Sequence, residues 1–417
     1  MIRLLSLAAL FLLAACTGST EAPNPVLLVV GYDSAPGADG ADIGLVLDRL
    51  DGENRLDFLE ASTRPLTFPA VDYDVIDREG GRNALVVLSR SGNTPAGSTG
   101  VLTTFSLTGI NPADPAGFRE TAEVVINNFA RIPTTLGPNP AFCPKRVQVT
   151  QSGNYAAVLN DPSLCGLQAL PFIDILDLQG SRLLQRLTSV GGLSSSNLYL
   201  AQGASEDLLY YATRVAGRLQ LQRAVMPRPG QTFGPDDRIV VTDVANVEIA
   251  GGQNDALDLQ RSGSGAEERL VFLYRESLLS VTGFSGEEEV GGFVDTARNR
   301  ENAFVLRDDE RSLEGTFILS APEDNTLTFI PPPASLETVN PEATASLGAV
   351  SATFESVRDN AYFVAPGRVA ILPLASFSSG DDLPDLRPED ISQLTNPSFI
   401  TFAQAVPPTA VPTPTAP

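Results

Sequence analysis

Short runs of alternating apolar and polar residues, broken by Gly, Asn, Asp and Ser clusters, recur along this chain at a spacing of about fifty residues. That recurrence limits the fold more sharply than any bulk property. The stretch Arg146–Arg186 is its clearest unit. Val147 and Val149 alternate with polar residues, and Gln151-Ser152-Gly153-Asn154 makes a turn. Tyr155–Leu159 reads as a second strand, Phe172–Leu178 as a third, and Gln179-Gly180 as a hairpin turn into Leu183–Arg186. Together these make a four-stranded antiparallel meander.

Weaker copies place first strands near residues 27, 73, 147, 198, 247, 303 and 352. Five of the six gaps lie close to fifty, and the long one holds an insertion, Thr108–Arg146, with a strand at Glu123–Phe129 and a Pro-rich loop at Ile132–Pro144. A repeat of roughly 40–50 residues with four strands each is the signature of a β-propeller. The sequence thus predicts an all-β chain of about seven four-stranded antiparallel blades. One run, Ser398–Phe402, is left over and is expected to close the ring by completing the N-terminal blade, which removes an exposed edge. Pro388–Gln393 is expected as one short helix. The phrases VQVTQSGNYAAVL, YDVIDREGGRNALVVL and FESVRDNAYFVA resemble the first hairpin of YVTN- and WD-type propeller repeats. The WD dipeptide itself is missing, since the chain has no Trp.

At the N-terminus, Met1-Ile2-Arg3 supplies positive charge and Leu4–Leu13 an apolar run too short for a stable bilayer span. The following Leu13-Ala14-Ala15-Cys16 resembles the lipobox of bacterial lipoprotein signal peptides. The resemblance implies cleavage after Ala15, diacylglyceryl attachment at Cys16, and a membrane held as partner through that anchor. Residues 1–15 are then a signal peptide, 16–25 the lipidated cysteine and its tether, 26–405 the propeller, and 406–417 a disordered Pro/Thr-rich tail. Thr17 is not the Asp associated with inner-membrane retention, which favours the outer membrane where the host has one. With Cys16 lipidated, Cys143 and Cys165 remain, an even pair in an exported chain, and are expected to form a disulfide.

Composition excludes several chemistries. With 28 Lys+Arg against 50 Asp+Glu, the net charge is −22, so no basic stripe is available for nucleic acid. The absence of His excludes His-dependent triads and imidazole metal sites within the chain. Asp33, Asp39 and Asp42, in GYDSAPGADGADIG, could wrap oxygens around Ca²⁺, but their spacing fits no EF-hand loop and a solvated hairpin is the plainer reading. Glu287-Glu288-Glu289 and Asp381-Asp382-Asp385 read as solvated acidic loops. Asp74 and Asp77 do not read as an acid–base dyad. Arg223 and Arg228 read as partners of surface carboxylates, and Tyr210 and Tyr211 as packing between blades. Gly97–Gly100 and Gly251-Gly252 open no helix, so neither reads as a phosphate cradle.

Two functions fit this sequence. One is a non-catalytic, membrane-anchored propeller that binds an envelope protein or polysaccharide through its loops and central channel, with no cofactor. The other is a propeller hydrolase or lyase, either carboxylate-based and glycan-active or metal-dependent and lactonase-like. The second requires Asp and Glu side chains converging at the channel mouth.

Overall fold

The computed structural model describes residues 25–33, 40–49, 55–78, 81–92, 97–131, 142–188, 193–201, 206–215, 218–234, 237–247, 258–262, 269–273, 277–282, 289–295, 305–307, 317–322, 324–330, 343–355, 360–373 and 386–405. They form seven sheets. Blade 1 holds β1 (Val26–Asp33), β2 (Ala41–Asp48) and β3 (Leu56–Leu66). Blade 2 is β4 (Ala70–Arg78), β5 (Gly81–Arg90), β6 (Gly100–Ser106) and β7 (Glu120–Val125). After the short β8 (Ala130–Arg131), blade 3 is β9 (Pro144–Val149), β10 (Tyr155–Asn160), β11 (Phe172–Asp177) and β12 (Arg182–Leu187). Blade 4 is β13 (Leu193–Ala201), β14 (Leu208–Val215), β15 (Arg218–Val225) and β16 (Val241–Val247). Blade 5 is β17 (Asp258–Ser262), β18 (Arg269–Leu273), β19 (Ser277–Thr282) and β20 (Glu289–Asp295). Blade 6 is β21 (Val305–Arg307), β22 (Phe317–Ala321), β23 (Thr326–Ile330) and β24 (Ala343–Ala345). Blade 7 is β25 (Ser351–Glu355), β26 (Asn360–Ala365), β27 (Arg368–Pro373) and β28 (Arg387–Asp390). The last strand, β29 (Pro397–Ala405), pairs antiparallel with β1 and is the innermost strand of blade 1.

The expected ring closure is therefore present, and the architecture is a β-propeller of seven blades. Details differ from the sequence expectation. The strand near residue 27 is the second of its blade, because β29 takes the first place. The fifth blade starts at Asp258, and Val247 ends the outer strand of blade 4. The expected strand Glu123–Phe129 begins earlier, at Glu120, and gives way to a 3-10 turn at Ile126–Asn128. The expected helix at Pro388–Gln393 is instead strand β28, followed by a turn. Proline fits there because β28 is an outermost strand with one open edge. Blade 3 gains a fifth strand, since β8 pairs parallel with β12 and covers its outer edge.

Blades stack on both sides, so the second and third strands of a blade are buried on both faces. This explains why they read as continuous apolar runs. In β1, Leu27 and Val29 pack toward blade 2, while Val26, Leu28 and Val30 pack toward blade 7. In β10, Ala156 and Val158 face blade 2, and Tyr155, Ala157 and Leu159 face blade 4. Ile318 and Leu327 of blade 6 join Ala361, Phe363, Ala370 and Leu372 of blade 7 in one core. Each fully buried Val, Leu, Ile or Phe among them contributes about 1.5–3 kcal/mol.

The innermost strands run parallel to one another around the axis. Their free edges would leave backbone N–H groups unpaired, and at three seams among the described residues the preceding blade supplies side chains that accept them. Asp72 and Asp74 of β4 accept from Val147 and Val149 of β9. Gln148 Oε1 accepts from Leu200 of β13 at 2.9 Å. Ser351 and Thr353 of β25 accept from Ile400 and Phe402 of β29 at 3.3 and 3.2 Å. Donor residues two apart meet acceptor residues two apart because alternate groups of a strand point the same way. The Ile400 carbonyl accepts from Tyr73 Oη at 3.1 Å, so that residue's axis side is satisfied by blades on either hand.

Candidate functional site at the seam of blades 2 and 3

Because the inner strands are parallel, the propeller has an upper face, where they begin, and a lower face, where they end. Second strands end on the upper face, so the described residues of the connections β5–β6 and β10–β11 lie there together with Phe142 and Cys143, which lead into β9. These three segments are tied to each other. Cys143 and Cys165 form a disulfide, joining the start of β9 to the β10–β11 connection. Gly97 makes a parallel bridge with Phe142, and Ser98 N–H donates to Phe142 O at 2.8 Å. Asn127 Nδ2 donates to Ser98 O at 2.9 Å, and its Oδ1 accepts from Gly100 N at 2.8 Å. Asp161 N–H donates to Cys143 O at 2.8 Å.

The β10–β11 connection is shaped locally. Asp161 caps a 3-10 turn, Pro162–Cys165, by accepting from Ser163 N at 3.2 Å, and Gly166 ends it in the left-handed region at φ 74°. The turn buries Pro162 and Cys165 while leaving Leu164 and Leu170 exposed, at 42% and 61%. Gly97 explains itself in the same way. At φ +104°, a Cβ there would stand 2.6 Å from the Phe142 carbonyl oxygen. The Gly97–Gly100 segment is thus a site of close backbone approach between blades.

Cationic groups gather beneath these loops in a strongly acidic protein. Arg90 Nη1 donates to Pro144 O at 3.1 Å and stands 3.5 Å from Cys143 Sγ. Burial lowers the Arg90 pKa, and Asp161 opposes that shift. Lys145, the sole lysine, lies 3.7 Å from Asp161 Oδ2, and Arg146 Nη1 donates to Asp72 Oδ1 at 3.2 Å. Burial raises the Asp72 carboxyl, against the opposing pull of Arg146 and the Val147 N–H. Asn160 is buried at the end of β10, and its Oδ1 has no hydrogen-bond partner among the described residues. Among the described residues, the seam is a braced platform whose β10–β11 connection presents Leu164 and Leu170 over a polar floor. Within it, Ser163 Oγ donates to Asp161 Oδ1 at 2.5 Å, as part of the turn that Asp161 caps.

The residues singled out in the sequence are scattered. Asp33 belongs to the ring closure: its N–H donates to Asn396 O at 3.1 Å, and its carboxylate accepts from Asn396 Nδ2. Asp33 lies opposite Ala41, and Asp42 lies opposite Tyr32, so the two aspartates project from opposite faces of the sheet. Asp39 lies outside the described residues, as do Cys16, Glu287, Glu288, Gly251, Gly252, Asp381, Asp382, Asp385 and residues 406–417. No group of three or more acidic or Cys side chains placed to hold a metal ion occurs among the described residues. Asp74 is an inter-blade acceptor. Arg228 pairs with Glu206, while Arg223 lies elsewhere, on β15 opposite Tyr210. Tyr210 and Tyr211 are buried, Tyr211 in the core shared by blades 3 and 4. Nothing in the sequence marks Arg90, Asn160 or Asp161. The nearest signal is the unique lysine, Lys145, two residues after Cys143.

The sequence matches no family model, and no curated protein is similar enough to count as a relative. Solved structures do resemble the fold. A candidate 6-phosphogluconolactonase from Bacteroides fragilis aligns with TM-score 0.57 at 9% identity, over 92% of this chain and 99% of that one. Another from Bacteroides uniformis gives 0.55 at 10% identity, over 91% and 99%. A functionally unknown protein from Desulfotomaculum acetoxidans gives 0.54 at 10% identity, over 90% and 98%. At such identities the likeness is one of fold, and it extends over nearly the whole chain.

Proposed function

We propose that this chain is a lipid-anchored envelope protein whose propeller recognises a partner through the loop platform at the seam of blades 2 and 3. One observation carries the reading. Val26 and Ala405 pair with each other on the lower face, so the chain joins and leaves the propeller on the side opposite the disulfide-braced loops. A tether from Cys16 then approaches from below while the platform stands above. The exposed Leu164 and Leu170 favour a protein partner over a polysaccharide, because apolar tips on a rigid base gain by desolvation against another apolar surface. The export signal and the lipidated cysteine rest on the resemblance of Leu13-Ala14-Ala15-Cys16 to a lipobox.

The test uses the full chain in a bacterial host that processes lipoproteins. The expected mature N-terminal peptide begins at a diacylated Cys16, and Cys16→Ala releases the protein from the membrane fraction. Crosslinking from envelope extracts is expected to retain one protein component that Leu170→Asp loses. An unmodified Cys16 refutes the anchor, and a retained polysaccharide instead of a protein refutes the partner class. The likeness to candidate 6-phosphogluconolactonases supports a second reading, a lactonase-like hydrolase. Turnover of 6-phosphogluconolactone by the purified protein would establish that one.

A further inference from the structure

The large apolar side chains that stand exposed among the described residues fall on both faces. Leu164 and Leu170 belong to the upper platform, whereas Val240 and Val241, at 64% and 38% exposure, lie on the lower face of blade 4. Val241 pairs with Ala224, next to the lower end of β15, and Val240 ends the connection that leads into β16. The described residues of that connection are tied to blade 3. Tyr155 Oη donates to the carbonyls of Arg228 and Gln231 at 3.3 and 3.5 Å, and Ile239 N–H donates to Gln185 Oε1 at 2.7 Å. Met226, Phe233 and Ile239 are buried beneath it in the core of blades 3 and 4. Its outer side presents Arg228, which pairs with Glu206, together with Pro229, Asp237, Arg238, Val240 and Val241.

The position of this apex matters because of where the chain enters the propeller. Val26 is on the same lower face, in blade 1, three blades away in a ring of seven and so across the axis from blade 4. The ten residues from Cys16 to Pro25 can span at most about 35 Å even when fully extended. A lipid attached at Cys16 thus keeps the lower face near its bilayer. A single tether leaves the body free to swivel, and a second contact across the axis stops that.

We infer that the lower face seats on the lipid surface that holds the anchor, with the Val240–Val241 apex of blade 4 as its second point of contact. The inference rests on the proposed lipidation of Cys16. The valines enter the interfacial layer, and the guanidinium groups of Arg228 and Arg238 lie at headgroup depth, where long cationic side chains keep their charge in the polar zone. Such seating turns the Leu164–Leu170 platform outward.

The chain contains no Trp, so a single introduced Trp reports without background. Lipidated Val240→Trp and Leu170→Trp proteins are reconstituted separately in phosphatidylcholine–phosphatidylethanolamine vesicles carrying lipids brominated near the headgroup. Lipidation is checked by the mass of the N-terminal peptide in the same preparation. The expected result is a blue-shifted Val240→Trp emission that brominated lipid quenches, with Leu170→Trp unshifted and unquenched. A vesicle-bound, lipidated Val240→Trp protein quenched no more than the Leu170→Trp protein overturns the seating and leaves the anchor standing. Protein that carries no lipid and stays off the vesicles overturns the anchor, and the seating with it.

Discussion

Thr353 offers the sharpest test of how the ring is held closed. Its side chain is 6% exposed, and its Oγ1 accepts the Phe402 N–H at 3.2 Å. That N–H points at the axis, away from β1, so no strand can replace the hydroxyl. Thr353→Val keeps the volume and removes the acceptor, which leaves the amide unsatisfied at a cost of about 1–3 kcal/mol. Unfolding entropy near 60 °C is about 2.1 cal/mol/K per residue, so a body of about 380 residues changes by roughly 0.8 kcal/mol per kelvin and Tm falls by only about 1–4 °C. Amide hydrogen exchange is the better assay because it reads the affected group directly. If the loss is felt locally, Phe402 exchange accelerates by about 5- to 150-fold, since about 1.4 kcal/mol is a factor of ten. Thr353→Ser retains the oxygen and should leave Phe402 protected. A Thr353→Val protein whose Phe402 amide exchanges as slowly as the parent's would show that the side-chain clasp does not hold this edge.

Other parts of the ring make further predictions. Removing the disulfide with Cys143→Ser and Cys165→Ser releases a loop of 22 residues, worth about 3.4 kcal/mol in the chain-entropy model, and denaturant melts should show a loss of that order. The Asp72 carboxyl is raised by burial, so its protonated form favours folding and that contribution disappears as pH rises through the folded-state value. Asp72→Asn should therefore gain stability relative to the parent as pH increases from acid toward neutral, and the opposite trend in paired melts would refute the burial argument. Tyr362 Oη donates to the fully buried Asp48 at 2.6 Å, and Asp48 also receives Arg55 Nε at 2.5 Å. Tyr362→Phe should cost about 1.5–3 kcal/mol by equilibrium unfolding. Gly31→Ala would place a Cβ 2.3 Å from the Phe399 ring, which stacks on Tyr73, and should cost about 1–3 kcal/mol through overpacking, with Phe399→Leu restoring part of the loss.

The fold was legible where burial imposes a pattern, and illegible where it does not. β1 and β10 are buried on both faces, so VLLVVGYD and YAAVLN read as continuous runs bounded by turns. The ring-closing strand was visible because Ser398–Phe402 was an apolar run with no blade of its own. Outer strands carry little such signal. β7 is exposed along most of its length, and β28 reads Arg-Pro-Glu-Asp, which resembles the acidic first turn of a helix. The same argument explains the first strand of blade 5. Val247 ends an outer strand, and only its distance from the previous repeat suggested that it began a blade.

The seams were harder to read than the blades for a different reason. The inner-strand clasps join residues far apart in sequence, and one partner is backbone, which carries no side-chain signature. Asp72 meets Val147 across 75 residues, and Thr353 meets Phe402 across 49. What the sequence does show is the acceptor half. Asp72 and Asp74, like Ser351 and Thr353, are polar residues two apart on inner strands. Such pairs are easily taken for the solvated face of an ordinary strand, or for an acid pair awaiting a substrate. In a closed ring they have another task, because every inner strand has an edge that no strand can cover. Polar residues at alternate inner-strand positions are therefore a structural requirement of a propeller before they are evidence of chemistry. A catalytic reading of an axial carboxylate in such a fold must first show that its oxygens are not already accepting the next blade's amides. Asp72 and Asp74 fail that condition, because their oxygens already accept the amides of Val147 and Val149.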